Sequence, residues 1–156
     1  MIRLLLMNKV VSFIAHFFDR RIYVFIVLFV ALFAFDMLAI SQTWYFYYKW
    51  IDIPVHFFGG FFLGGLFFYI VFSNPKSKKF LKIPRTPRNV FTTTVLLVLL
   101  TGGAWEVIEF VLGRTVMSPA YVPDTILDLV AGTLGGYFFY LLYKKIRELV
   151  RAELMQ

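Results

Sequence analysis

Long apolar runs alternate with short polar breaks along the chain, and the runs have membrane length. An α-helix rises about 1.5 Å per residue, so crossing about 30 Å of hydrocarbon takes about 20 mostly apolar residues. Four segments satisfy this: 22–40, 51–72, 90–112 and 124–143. Ahead of the first, Leu4, Met7, Val11, Ile14 and Phe18 recur at steps of three and four, with Arg3, Lys9, Arg20 and Arg21 off that stripe. Residues 1–21 therefore read as an amphipathic helix in the membrane interface. Asp36 inside the first apolar run, and the length of this lead-in, argue against a cleaved signal peptide. The stretch Trp44–Trp50 reads as an aromatic belt at a membrane–water boundary. Residues 144–156 form a basic tail that continues the last helix. The expected fold is all-α: one polytopic membrane domain over 1–156, with four transmembrane helices and an amphipathic N-terminal helix.

Composition agrees. Of 156 residues, 60% are hydrophobic and 16% charged, where a soluble domain carries about 45–50% and about 25%. That excludes an ordinary soluble globule, and disorder too. The net charge of +7 would suit nucleic acid or anionic lipid, but 20 Phe and no continuous polar face leave membrane lipid as the partner and no nucleic acid. With no cysteine, disulfides and thiolate metal sites are out. Nothing in the sequence indicates an oligomeric state.

Charge position predicts orientation. The 73–89 break holds Lys76, Lys78, Lys79, Lys82, Arg85 and Arg88 without an acid, and Pro75, Pro84 and Pro87 predict that it is non-helical. Short basic loops stay in the cytoplasm. Both termini are then cytoplasmic as well, and 14 of the 16 basic residues fall on that side. The acids fall oppositely. Only Asp19, Glu148 and Glu153 are on the inner side, so the charge divides into +11 inside and −4 outside.

The remaining six acids, Asp36, Asp52, Glu106, Glu109, Asp124 and Asp128, lie with His56 in the outer half of the bundle or at its rim. Ionisable groups in a span cost about 2.5–3.5 kcal/mol each and usually face the bundle interior. Asp52 and His56 are four apart, Glu106 and Glu109 three, Asp124 and Asp128 four, so each pair shares one helix face. Together they read as a pocket open to the outer face. Six carboxylates and an imidazole cannot all stay charged in low dielectric: several hold protons, or a cation neutralises them. Carboxylates and histidine from facing helices make bundle-core metal sites. Asp52, His56, Glu106, Glu109, Asp124 and Asp128 are the expected ligands of a divalent cation (Mg, Mn or Zn), with a hydrated Mg or Mn favoured.

The second and fourth spans resemble each other. Asp52-x3-His56 precedes Gly64-Gly65-Leu66-Phe67-Phe68-Tyr69, and Asp124-x3-Asp128 precedes Gly135-Gly136-Tyr137-Phe138-Phe139-Tyr140. Two helix hairpins related by an axis along the membrane normal would produce this, and so would chance in a chain rich in Gly and Phe. Gly60–Gly64 and Gly132–Gly136 are also small-xxx-small patterns that favour close helix packing.

Asp52-Ile53-Pro54-Val55-His56-Phe57-Phe58-Gly59, Trp105-Glu106-Val107-Ile108-Glu109-Phe110 and Asp124-Thr125-Ile126-Leu127-Asp128-Leu129 resemble the YjdF-like family of small bacterial membrane proteins. More distantly they look like VanZ-like proteins. Where YjdF-like sequences tend to carry Gly-Asp-x-Trp-Asp before the last helix, this chain has Tyr121-Val122-Pro123-Asp124, one acidic position fewer. The resemblance implies a multi-pass protein of the bacterial cytoplasmic (inner) membrane. The VanZ-like link to glycopeptide resistance implies cell-wall or lipid-linked substrates.

Plainer readings stand beside these. Asp52 and Asp124 are at helix starts, where capping alone would explain them. Asp36 could pair with Arg114 or Lys49, and His16 reads as an interfacial residue. For function, the leading expectation is a cation-dependent site binding or acting on a lipid-linked or phosphate-bearing substrate, with His56 or Glu106 as general base. A cation or proton-coupled transporter or channel is the alternative, opposed by the lack of ionisable residues in the inner half of the bundle. A non-catalytic scaffold is the third reading.

Overall fold

The computed structural model describes residues 22–113 and 121–154. The expected amphipathic lead-in at 1–21 with His16, and residues 114–120 with Arg114, lie outside them. The described residues form helices without strands: α1 (Ile22–Ser41), α2 (Trp44–Tyr47), α3 (Asp52–Phe68), α4 (Pro75–Leu81), α5 (Pro87–Val111) and α6 (Tyr121–Leu154). Four candidate membrane spans, Ile22–Ser41, Lys49–Ser73, Pro87–Val111 and Val122–Ala152, match the four apolar runs in order. In hydrocarbon every backbone group needs an internal partner, and a helix supplies one to each. The many side chains left exposed, such as Val27, Leu100 and Val107, then face lipid rather than water.

One expectation fails in the basic segment between the second and third spans. Prolines were expected to keep it non-helical, yet α4 fills Pro75–Leu81. The missing N–H of a proline is harmless at a helix start. Asn74 caps α4 by accepting the Lys76 amide at 2.9 Å, with Pro75 as the first helical residue. Thr86 caps α5 in the same manner, accepting the Asn89 amide at 3.2 Å ahead of Pro87. The helix start at Asp52 also differs from simple capping: Ile51 is the residue before α3 and no side chain caps it. Asp124 lies within α6.

The second span opens with a 3-10 turn, Lys49–Ile51, and closes with a π-helical turn, Tyr69–Ser73. That closing turn brings the consecutive residues Val71 and Phe72 both into the core. Phe25, Phe68, Val71, Phe72, Val90, Phe139 and Tyr143 form the core cluster, at the end of the bundle where α5 begins. The Phe68 and Tyr143 rings stand 4.5 Å apart, and Phe25 meets Phe139 edge-on at 5.8 Å. These side chains make an aromatic plug at that end of the bundle.

Helices α3 and α6 form the central pair. A Cβ on Gly60 would overlap the Gly132 carbonyl, and one on Gly135 would overlap the Phe57 carbonyl. Glycine normally costs a helix interior about 1 kcal/mol. Here it allows backbones to touch, which is how spans associate where lipid supplies no hydrophobic drive. Gly60 and Gly132 are 72 positions apart, as are His56 and Asp128, and both pairs meet across this interface.

Candidate functional site

The end of the bundle opposite the aromatic plug is loosely filled. A cavity of about 120 Å³ opens among α1, α3, α5 and α6. Its wall is mainly apolar, with Phe29, Leu63, Val98 and Trp105 among the lining residues, and glycines 59, 60, 102 and 132 leave the space. Asp36, His56 and Asp128 bring charge to this wall, and Thr101 and Thr133 bring hydroxyls.

His56 is the centre of the polar group. Its Nε2 is 3.4 Å from Asp52 Oδ1, one turn earlier on α3, and 3.9 Å from Asp128 Oδ1 across on α6. One ligand atom from each of Asp52, His56 and Asp128 lies within 4.8 Å of the others. Tetrahedral ligands about 2.1 Å from a cation stand about 3.4 Å apart, so the most widely separated atoms of the triad would have to approach by about 1 Å to share an ion. One imidazole with carboxylates suits Zn, Mn or Fe chemistry.

Glu106 is buried beside this triad. Thr125 donates to its Oε2 at 3.0 Å, while its Oε1 has no hydrogen-bond partner among the described residues. An unsatisfied buried carboxylate oxygen is costly, and a proton or a cation would relieve it. Glu109 is half-buried, one turn further along α5, within electrostatic reach of Glu106, His56 and Asp52. Asp124 is exposed in the first turn of α6, within electrostatic reach of Glu106 and Asp128. The structure thus gathers Asp52, His56 and Asp128, sets Glu106 and Glu109 around them, and keeps Asp124 at the exposed edge of the group.

Asp36 is buried, and its Oδ1 accepts the hydroxyl of Tyr45. Tyr45 belongs to α2, so the aromatic belt does more than anchor: one of its rings closes over a buried carboxylate. Tyr45 and Thr125 hold site carboxylates and were not singled out by sequence reasoning. Thr125 carried a signal, lying three residues before Asp128 and so on its face of the helix. Tyr45 carried none, since the turn at Thr43 that swings it back has left-handed backbone visible only in the structure.

No curated protein and no solved structure is significantly similar to this chain. A family model does match, over residues 3–148 and hence nearly the whole length. The matched residues take in all four spans, the triad on α3 and α6, and the Glu106–Glu109 pair. The chain therefore belongs to the family described as predicted membrane protein (DUF2238), which is the YjdF family.

Proposed function

We propose that this protein holds a divalent cation on Asp52, His56 and Asp128 and uses it to bind the phosphate-bearing head of an amphiphile in the outer leaflet of the bacterial inner membrane. The observation that carries the reading is the triad's geometry, three ligand atoms from two helices within 4.8 Å, at the wall of an apolar cavity. A cation there would attract phosphate oxygens, and the apolar wall would take the adjoining hydrocarbon. The outward orientation follows from the basic residues at the opposite end.

Should the site be catalytic, the cation would polarise a phosphoryl or carbonyl oxygen. His56 as a ligand is then unavailable as a base. Glu106, steadied by Thr125 and with one oxygen unbonded, is the group to accept a proton. A conduction role draws less support, because the plug around Phe68, Phe72 and Phe139 fills the path beyond the triad.

Calorimetric titration of the purified protein in detergent with Mn²⁺ and with Zn²⁺ tests this. The expected result is one saturable site per chain, abolished in His56→Ala and Asp128→Asn and retained in Asp124→Asn. Equal heats in wild type and in the folded His56→Ala and Asp128→Asn variants would overturn it.

A further inference from the structure

At the plugged end of the bundle a second cavity, of about 660 Å³, lies between the start of α5 and the later turns of α6. Arg85, Lys144, Arg147 and Arg151 line it, against one acid, Glu148, whose carboxylate is 3.9 Å from Lys144. The Tyr143 hydroxyl accepts from Arg85 Nε at 3.0 Å and from Arg147 Nη1 at 3.2 Å. Arg147 Nη1 also donates to the Arg85 carbonyl at 3.3 Å. The Arg85 guanidinium rests 4.7 Å from the Phe68 ring centre and 5.4 Å from that of Tyr143. Two guanidiniums are therefore placed by the fold before any ligand arrives, which removes much of the ordering cost of binding.

We propose that this cavity is a binding site for the headgroup of an anionic phospholipid. Planar guanidiniums match phosphate oxygens in charge and geometry, and basic pockets between membrane helices suit such headgroups. The walls distinguish a lipid from a free anion. Tyr140 lines the cavity and packs on Phe91 at 5.3 Å and on Tyr137 at 6.4 Å. Phe91 and Tyr137 are exposed within the third and fourth candidate spans. An aromatic track thus leads from the guanidiniums toward the acyl region, and a headgroup with its attached chain follows both. The cavity is also at the right depth. From Asp128 to Arg147, α6 advances about 28 Å, close to the full hydrocarbon thickness, so the two ends of the protein meet opposite leaflets.

None of these residues belongs to the cation triad, so either site can fail without the other. The test is native mass spectrometry of the full chain, delipidated in zwitterionic detergent and titrated with cardiolipin, phosphatidylglycerol or phosphatidylcholine, with inorganic phosphate as competitor. Wild type should retain the two anionic lipids and release phosphatidylcholine. Arg147→Gln with Arg151→Gln should weaken retention by about tenfold or more. Lys76→Gln with Lys78→Gln, which removes equal charge from α4 at the same end, should leave it unchanged. Lys144→Gln, an exposed position on the cavity wall, repeats the test with a single change. Equal loss in the two double variants would leave only general charge attraction and overturn the proposal. So would displacement by inorganic phosphate at concentrations equal to the lipid.

Discussion

Gly60 and Gly132 pack backbone against backbone, so closely that a Cβ on Gly60 would overlap the Gly132 carbonyl. His56 and Asp128 sit one turn away on the same two helices, so this contact bears directly on how far apart those two side chains stand. Gly60→Ala should push α3 and α6 apart, lower stability by about 1–3 kcal/mol and weaken Mn²⁺ binding. Gly103→Ala meets nothing within 4 Å and should stabilise by up to about 1 kcal/mol, since alanine is the better helix former. Thermal unfolding in detergent with parallel calorimetry checks both. Unchanged metal affinity in folded Gly60→Ala would separate the contact from the site.

A cation held on the proposed site would compete with protons. Metal binds neutral imidazole and ionised carboxylate, so binding releases whatever protons those groups hold. Affinity should fall as pH drops, by about tenfold per unit for each proton displaced. In His56→Ala, any residual affinity should have a shallower slope. Titrations at a series of pH values measure it, and a flat profile for wild type is the contrary outcome.

Tyr45 should matter through Asp36 alone. Burial and the bond to Asp36 push the Tyr45 hydroxyl above its ordinary value, so it remains a donor. Its contribution to stability is complete below about pH 10, the ordinary tyrosine value, and declines only above it. Tyr45→Phe should cost about 1–3 kcal/mol by orphaning a buried carboxylate oxygen. Adding Asp36→Leu should recover much of that loss, because both polar partners are then gone. Unfolding midpoints of the four proteins in this cycle give the coupling; additive losses would deny it.

Membrane orientation is open to direct labelling, since the chain has no cysteine of its own. Lys49→Cys, beside the acidic end, should react with an impermeant thiol reagent in intact spheroplasts. Lys78→Cys, on α4, should react only after permeabilisation. The reverse pattern would turn the protein over and put the triad on the cytoplasmic side.

The sequence determined the four spans, because in hydrocarbon a chain has almost no way to satisfy its backbone except helix, and apolar length is then sufficient to find each one. It also determined that Asp52 and His56 share a face, since that follows from helical period alone. Local pattern did less well at α4, where prolines at first-turn positions start helices rather than prevent them. Which carboxylates come together was decided by tertiary structure. Asp124 and Asp128 have equal claims by spacing, yet only Asp128 lies deep enough along α6 to meet His56, because glycine contacts between α3 and α6 fix both depth and separation. Asp36 found a partner in Tyr45, through a turn whose direction no periodicity records. Helical period places residues on a face of one helix. Only the packing of helices against each other says which faces meet, and how far apart.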